Sequence, residues 1–245
     1  KINASTYAQK LKALRDLYPE GVAHVSQNLF GSHDSNRIGS HIVNRDNGIG
    51  NFRNWGNYFN ASVAGNNPNY STRKPQKEDI DLQKLFAIMQ MTYVGAPMIY
   101  YGDEVGMWGG NDPDCRKPMI WDDIVYEDEV FNADGSTHKP DKVETNTSLF
   151  NHYKKLISIR KEHPSLQQGA YKTVFTNDAK GIFVFERQYE GESIIVAINN
   201  GDDKFILDIP EFRTHCMVDL FSETVFDGGE IIVPNKWGMI LKACQ

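Results

Sequence analysis

Val22-Ala23-His24-Val25-Ser26-Gln27-Asn28-Leu29-Phe30 runs directly into Gly31-Ser32-His33-Asp34-Ser35-Asn36. The first nine residues are β-compatible and lie between two glycines, so they read as a strand, 22–30, that opens into a polar turn. The same grammar returns at Met98-Ile99-Tyr100-Tyr101, a strand over 98–101 that ends in Gly102-Asp103-Glu104. A helix precedes each strand. Tyr7, Leu11, Leu14 and Tyr18 recur at helical spacing over 6–18, with Thr6-x-x-Gln9 as a capping box. Leu82, Leu85, Phe86, Met89 and Tyr93 mark one face of the second helix, stopped by Gly95 with Pro97 beyond it. A third helix carries Leu149, Phe150, Tyr153, Leu156, Ile157 and Arg160 and ends at His163-Pro164. Long polar excursions, 37–75 and 102–145, lie between these elements, and long loops usually carry function. Alternating helices and strands are the pattern of βα units. Two strands cannot enclose a core, so the region reads as part of a larger barrel or sheet.

After Pro164 the pattern changes to short runs rich in Val, Ile and Phe, separated by Gly, Asn and Asp: 171–176, 181–188, 192–199, 204–209, 215–221, 231–234 and 237–243. This predicts an antiparallel β-sandwich. The expected fold is α/β followed by all-β, with one domain over 1–164 and a second over 165–245.

Composition narrows the function. The 245 residues carry a net charge of −6, which offers no basic footprint for nucleic acid. The longest aliphatic run, Ile194 to Ile198, is far short of a membrane span. Cys115, Cys216 and Cys244 are too few for a disulfide framework, and their odd number leaves at least one thiol without an intrachain partner. No leader pattern is present at Lys1, so localisation is not readable. The histidines show no metal-ligand spacing, and no G-x-S-x-G, P-loop or G-x-G-x-x-G occurs.

Three places could carry chemistry. His33 and Asp34 sit at the carboxyl end of a strand, which in an α/β barrel faces the active-site mouth. Pattern alone leaves open whether Asp34 is a catalytic carboxylate beside a donor histidine or a loop residue capping the next turn. Asp103 and Glu104 are adjacent, so their side chains diverge and fit poorly the paired carboxylates of a glycosidase. A structural role, with hydrogen bonds to backbone and to an arginine, is expected for them. Asp112-x-Asp114-x-Arg116 puts a cation where a calcium loop needs an oxygen. Asp112 and Arg116 could instead grip sugar hydroxyls, with Trp108 and Trp121 covering the ring face, or form an ion pair that holds the loop.

These residues resemble a known family. Phe30-Gly31-Ser32-His33-Asp34 is similar to the seventh-strand F-x-N-H-D motif of the α-amylase family, glycoside hydrolase family 13. Tyr100 to Met107, followed by Gly110-Asn111-Asp112-Pro113-Asp114-Cys115-Arg116-Lys117-Pro118-Met119, resembles the eighth-strand region of its neopullulanase and cyclomaltodextrinase branch. The resemblance covers essentially the whole chain. It implies that 1–164 is the C-terminal part of a (β/α)8 TIM barrel, strands seven and eight with their helices, and that 165–245 is the trailing β-sandwich.

Carried over by position, Asp34 would stabilise the oxocarbenium-like transition state and His33 would donate to the same sugar. Asp112 and Arg116 would hold a glucose further toward the nonreducing side. Ser32 departs from the usual Asn. The family's nucleophile lies in a G-x-R-x-D motif and its general acid follows the fifth strand. Neither Arg53-Asn54-Trp55 nor Gly191-Glu192 fits those motifs. Retaining hydrolysis needs both groups, so this chain alone is expected to be inactive.

The resemblance implies the C-terminal portion of a retaining hydrolase of starch, pullulan or cyclodextrins, acting on α-1,4 and in some members α-1,6 bonds. The alternative is a non-catalytic glucan-binding or interaction protein derived from the same family. The implied partners are an α-glucan and the missing N-terminal part of the barrel, and homodimers are common in this branch. No cofactor is implied, no residue here is read as a metal ligand, and this segment does not support a structural calcium.

Overall fold

The computed structural model describes residues 2–46, 55–209 and 215–244. Its helices are α1 (Ala4–Asp16), α2 (Glu20–Val25), α3 (Ile38–Val43), α4 (Trp55–Ser62), α5 (Lys77–Thr92), α6 (Thr147–Glu162) and α7 (Pro164–Gln168). The strands are β1 (Gln27–Leu29), β2 (Ala96–Met98), β3 (Glu129–Phe131), β4 (Thr137–Asp141), β5 (Ala170–Asn177), β6 (Ile182–Tyr189), β7 (Glu192–Asn199), β8 (Phe205–Leu207), β9 (Cys216–Asp219), β10 (Val225–Asp227), β11 (Ile231–Val233) and β12 (Trp237–Ala243). They form two compact units. One gathers Lys1–Asn28, Lys84–Pro97 and Lys154–Gln245; the other gathers Leu29–Gln83 and Met98–Tyr153.

The first unit is built on a six-stranded antiparallel sheet in the order β10-β9-β12-β7-β6-β5. Side chains alternate across a strand, so Ile182 and Val184, Ile195 and Ala197, Met239 and Leu241 share one face. That face packs with Leu207, Ile231 and Val233 of the β8–β11 pair to form a sandwich core. Residues of the opposite register meet helices. Phe183 packs edge-on to Tyr7 of α1 at 5.5 Å between ring centroids, and Phe185 meets Tyr93 at 6.3 Å. A sheet covered on both faces needs apolar residues at every position, which explains why Ile194 to Ile198 shows no alternation.

Several expectations shift. The N-cap of α1 is Asn3, whose side chain accepts from Thr6 N at 2.9 Å, so Thr6 lies inside the helix and the expected capping box is not its start. Of the strand expected over 22–30, residues 22–25 are helical and only 27–29 pair as a strand. Pro19 sits at the N-cap of α2 with its carbonyl accepting from Val22 N at 2.9 Å, and Val22 and Val25, both exposed, have no strand face to bury. The second strand lies at 96–98 rather than 98–101. Gly95, at φ 114°, turns the chain so that Ala96 N reaches Ser26 O at 2.8 Å, and pairing starts at once. The runs expected after Pro164 match β5–β9, β11 and β12, whereas the short edge strand β10 had no signal. Cys216 and Cys244 form a disulfide with Cα atoms 5.3 Å apart, and Cys115 is a buried free thiol.

Glu192 pins the start of β7. Its Oε1 accepts from His163 Nδ1 at 2.8 Å and Lys242 Nζ at 2.9 Å, and its Oε2 from Ser165 N at 3.2 Å. Burial opposes ionisation, but these bonds outweigh it and hold the carboxyl at about 2. A depressed carboxyl pKa contributes stability above the unfolded value that is lost as pH falls through the folded one. Glu192→Gln should therefore cost about 2–3 kcal/mol at pH 7. In denaturant melts at pH 7, 4 and 2 the gap between wild type and variant should close as the pH falls.

Candidate functional site

The second unit carries the residues singled out above. Beyond β1 the chain makes a tight turn in which Ser32 Oγ accepts from Asp34 N at 3.1 Å and lies 3.2 Å from Ser35 Oγ. A side-chain oxygen closing onto the amide two residues ahead is a motif that Ser and Asn both make. The departure at Ser32 therefore keeps the local geometry that presents Asp34.

His33, Asp34, Asp112 and Arg116 converge. His33 Nε2 stands 3.2 Å from Asp34 Oδ2, Arg116 Nη2 stands 3.5 Å from Asp34 Oδ1, and Arg116 Nε stands 2.9 Å from Asp112 Oδ1. Arg116 Nε also donates to the His33 carbonyl at 3.0 Å. One guanidinium thus bridges both carboxylates and ties the two loops together. The side chains are 67%, 65%, 39% and 48% exposed for His33, Asp34, Asp112 and Arg116. Ion pairs this open are worth about 0–1 kcal/mol, so sugar hydroxyls can compete for these groups at little cost.

Asp103 is held differently. It is buried, and its Oδ1 accepts from Arg37 Nη1 at 3.1 Å. Arg37 Nη1 also donates to the Tyr101 carbonyl at 2.6 Å, and the guanidinium lies 4.7 Å from the ring centroids of Tyr100 and Tyr101. A Cβ on Gly31 would come within 2.5 Å of Asp103 Oδ2, so glycine is required where this carboxylate passes behind the Asp34 turn. The structural role expected for Asp103 is the one observed, and its partner is Arg37, which no motif had singled out. Tyr100 and Tyr101 leave the strand direction to cover Arg37. Both lie past the end of β2, although the sequence predicts a strand over 98–101.

Around Arg116, Asp114 is committed internally, accepting from Gly110 N at 2.5 Å and facing Lys117 Nζ at 3.1 Å. Trp108 is buried at 4% exposure and cannot cover a sugar face as expected, whereas Trp121 is 57% exposed. Among the described residues no group of three or more His, Cys, Asp or Glu could hold a metal ion, and no helix is long and apolar enough to cross a membrane. Glu192 lies in the sheet of the first unit with three partners of its own. Arg53 and Asn54 lie outside the described residues.

With two loops joined through Arg116 at the ends of short strands, the chain carries the strand-to-loop arrangement of an α/β barrel enzyme, followed by a β-sheet domain. The chain belongs to the α-amylase family: residues 2–169 match the alpha amylase catalytic domain and residues 171–229 the maltogenic amylase C-terminal domain. It is 34% identical over 211 residues to a cyclomaltodextrinase of Thermoanaerobacter pseudethanolicus, covering 86% of this chain and 27% of that protein. It is 30% identical over 213 residues to neopullulanase 2 of Thermoactinomyces vulgaris, again over 86% and 27%. Among solved structures it is similar to the debranching enzyme of Nostoc punctiforme, with 25% identity and a TM-score of 0.62 over 98% of this chain and 40% of that one. Ttha1563 from Thermus thermophilus shares the fold at 22% identity and a TM-score of 0.64, over 99% and 41%. The fold is accordingly part of a TIM barrel followed by an antiparallel β domain. The chain spans about a quarter of the length of these curated relatives, 27% for the two named.

Burial pushes the Asp103 carboxyl up, Arg37 opposes this, Glu104 adds to it, and the net value is about 7. A raised carboxyl pKa contributes stability that is complete below the unfolded value and lost as pH rises through the folded one. Asp103→Asn, which mimics the protonated form, should gain on wild type by up to about 1.4 kcal/mol per pH unit between pH 4 and 7. Urea melts of both proteins across that range check the sign; a constant difference would refute it.

Proposed function

We propose that this chain is the C-terminal portion of a retaining α-glucan hydrolase, acting on the α-1,4 bonds of starch, pullulan or cyclodextrins. The observation that carries this reading is the convergence of His33, Asp34, Asp112 and Arg116 on the residues that match the family's motifs. In this reading residues 1–164 belong to the catalytic barrel and 165–245 to the trailing sandwich. Asp34 faces the sugar whose anomeric carbon gains positive charge, and His33 donates to a hydroxyl of that sugar. A fixed carboxylate beside an oxocarbenium-like centre lowers the barrier because its attraction grows as the charge develops. Arg116 and Asp112 donate to and accept from the hydroxyls of a neighbouring glucose. The nucleophile and the general acid come from residues outside these 245.

A second feature supports a larger parent. Leu14, Leu17 and Tyr18 at the end of α1 and Val25 of α2 are 59%, 68%, 58% and 72% exposed. A cluster of large apolar side chains in water is a surface that further protein covers. The 245-residue chain on its own should self-associate in sedimentation experiments and release no reducing sugar from glucans. A monodisperse monomer would contradict the covered-face reading.

In the full-length protein, Asp34→Asn should lower kcat by about two to three orders of magnitude with an unchanged melting temperature. Retained turnover would overturn the role of Asp34. Glucan binding without hydrolysis by the full-length wild type would favour the non-catalytic alternative.

A further inference from the structure

Arg116 is half exposed and its own ion pairs are weak, so they do not by themselves hold a long, flexible side chain in one place. The main chain on either side of it is fixed instead. Tyr101 OH donates to the Lys117 carbonyl at 2.7 Å, and Tyr100 OH donates to the Cys115 carbonyl at 3.4 Å. Two adjacent tyrosines thus take the carbonyls of the two residues that flank Arg116. From the other side, the Cys115 thiol donates to the His33 carbonyl at 3.4 Å, the same oxygen that accepts from Arg116 Nε. Burial pushes the thiol pKa up, so the sulfur keeps the proton it donates. The tyrosines are themselves rigid, with ring centroids 4.7 Å apart in an edge-on contact and both stacked against Arg37.

We propose that the Tyr101 hydroxyl is a positioning group for Arg116, fixing the main chain from which the guanidinium reaches the sugar; the proposal rests on the glucan-hydrolase reading above. Ordering a binding group before the ligand arrives removes that entropy cost from the binding step. Tyr101 is 39% exposed and its ring contacts do not involve the hydroxyl. Tyr101→Phe therefore deletes the bond to Lys117 and the hydroxyl's contact with Tyr100, and keeps the ring against Arg37.

In the full-length protein, Y101F should raise KM about three- to tenfold for oligosaccharides long enough to reach Arg116, the equivalent of one hydrogen bond, with kcat nearly unchanged. On an Arg116→Ala background the same substitution should change KM little, because no guanidinium remains to be positioned. Exchange of the Arg116 Nε–H with solvent, followed by nitrogen-15 NMR, should accelerate in Y101F while the core amides of Val184 and Val196 keep their protection. An unchanged KM with an unchanged Nε–H overturns the proposal. So does a full KM effect that persists without Arg116, or an acceleration shared by the core amides. If D34N keeps full turnover, the glucan-hydrolase reading fails, and the exchange measurement still decides whether Tyr101 positions Arg116.

Discussion

Arg187 is fully buried, and among the described residues its hydrogen bonds go to carbonyls rather than to a carboxylate. Its guanidinium donates to the carbonyls of Thr92 at 2.8 Å, Leu166 at 2.9 Å and Gly169 at 2.9 and 3.2 Å. A buried cation is tolerable only where its donors are satisfied, and the carbonyls that end a helix supply both acceptors and the negative end of the helix dipole. Arg160 does the same one step further along, donating to Met91, Tyr93 and Gly95. Burial lowers both guanidinium pKa values to about 10, which leaves them charged at neutral pH. The last turn of α5 is therefore gathered by two arginines, one from α6 and one from β6. Gly238 allows the close approach that this needs, since a Cβ there would sit 3.0 Å from Ile88 of α5.

In the second unit the corresponding constraint is again an arginine, used in two ways. Arg37 is sealed between aromatic rings and spends its charge on a buried carboxylate and a carbonyl. Arg116 stays half in water and divides its charge between two exposed carboxylates. The first makes a rigid floor and the second a group that can change partners. A binding surface needs both properties side by side.

How much of this was legible follows from how locally each feature is encoded. β7 and β12 could be bounded to the residue because each is a dense apolar run with turn residues at its ends. α5 and α6 announced themselves by spacing. Residues 22–25 did not, because two valines three apart suit either structure and the Pro19 cap tips the balance. Tyr100 and Tyr101 misled in the same way, since their rings serve Arg37 and their hydroxyls serve a loop, and neither use leaves a local signal. His33, Asp34, Asp112 and Arg116 were found through motif resemblance. Arg37 carries no spacing cue, and only the third dimension pairs it with Asp103.

The first unit draws on residues near both ends of these 245, and this bears on the order in which it can assemble. Ser5 of α1 bonds Asp178 across 173 residues, and the central strand β7 gains its second neighbour only when β12 pairs with it. On a ribosome adding about 5–20 residues per second, α1 waits roughly 10–35 s before its docking face exists. Throughout that interval Tyr7 lacks the Phe183 ring it packs against, and Ser5 lacks Asp178. Vectorial synthesis therefore places the docking of α1 after the emergence of β5 and β6.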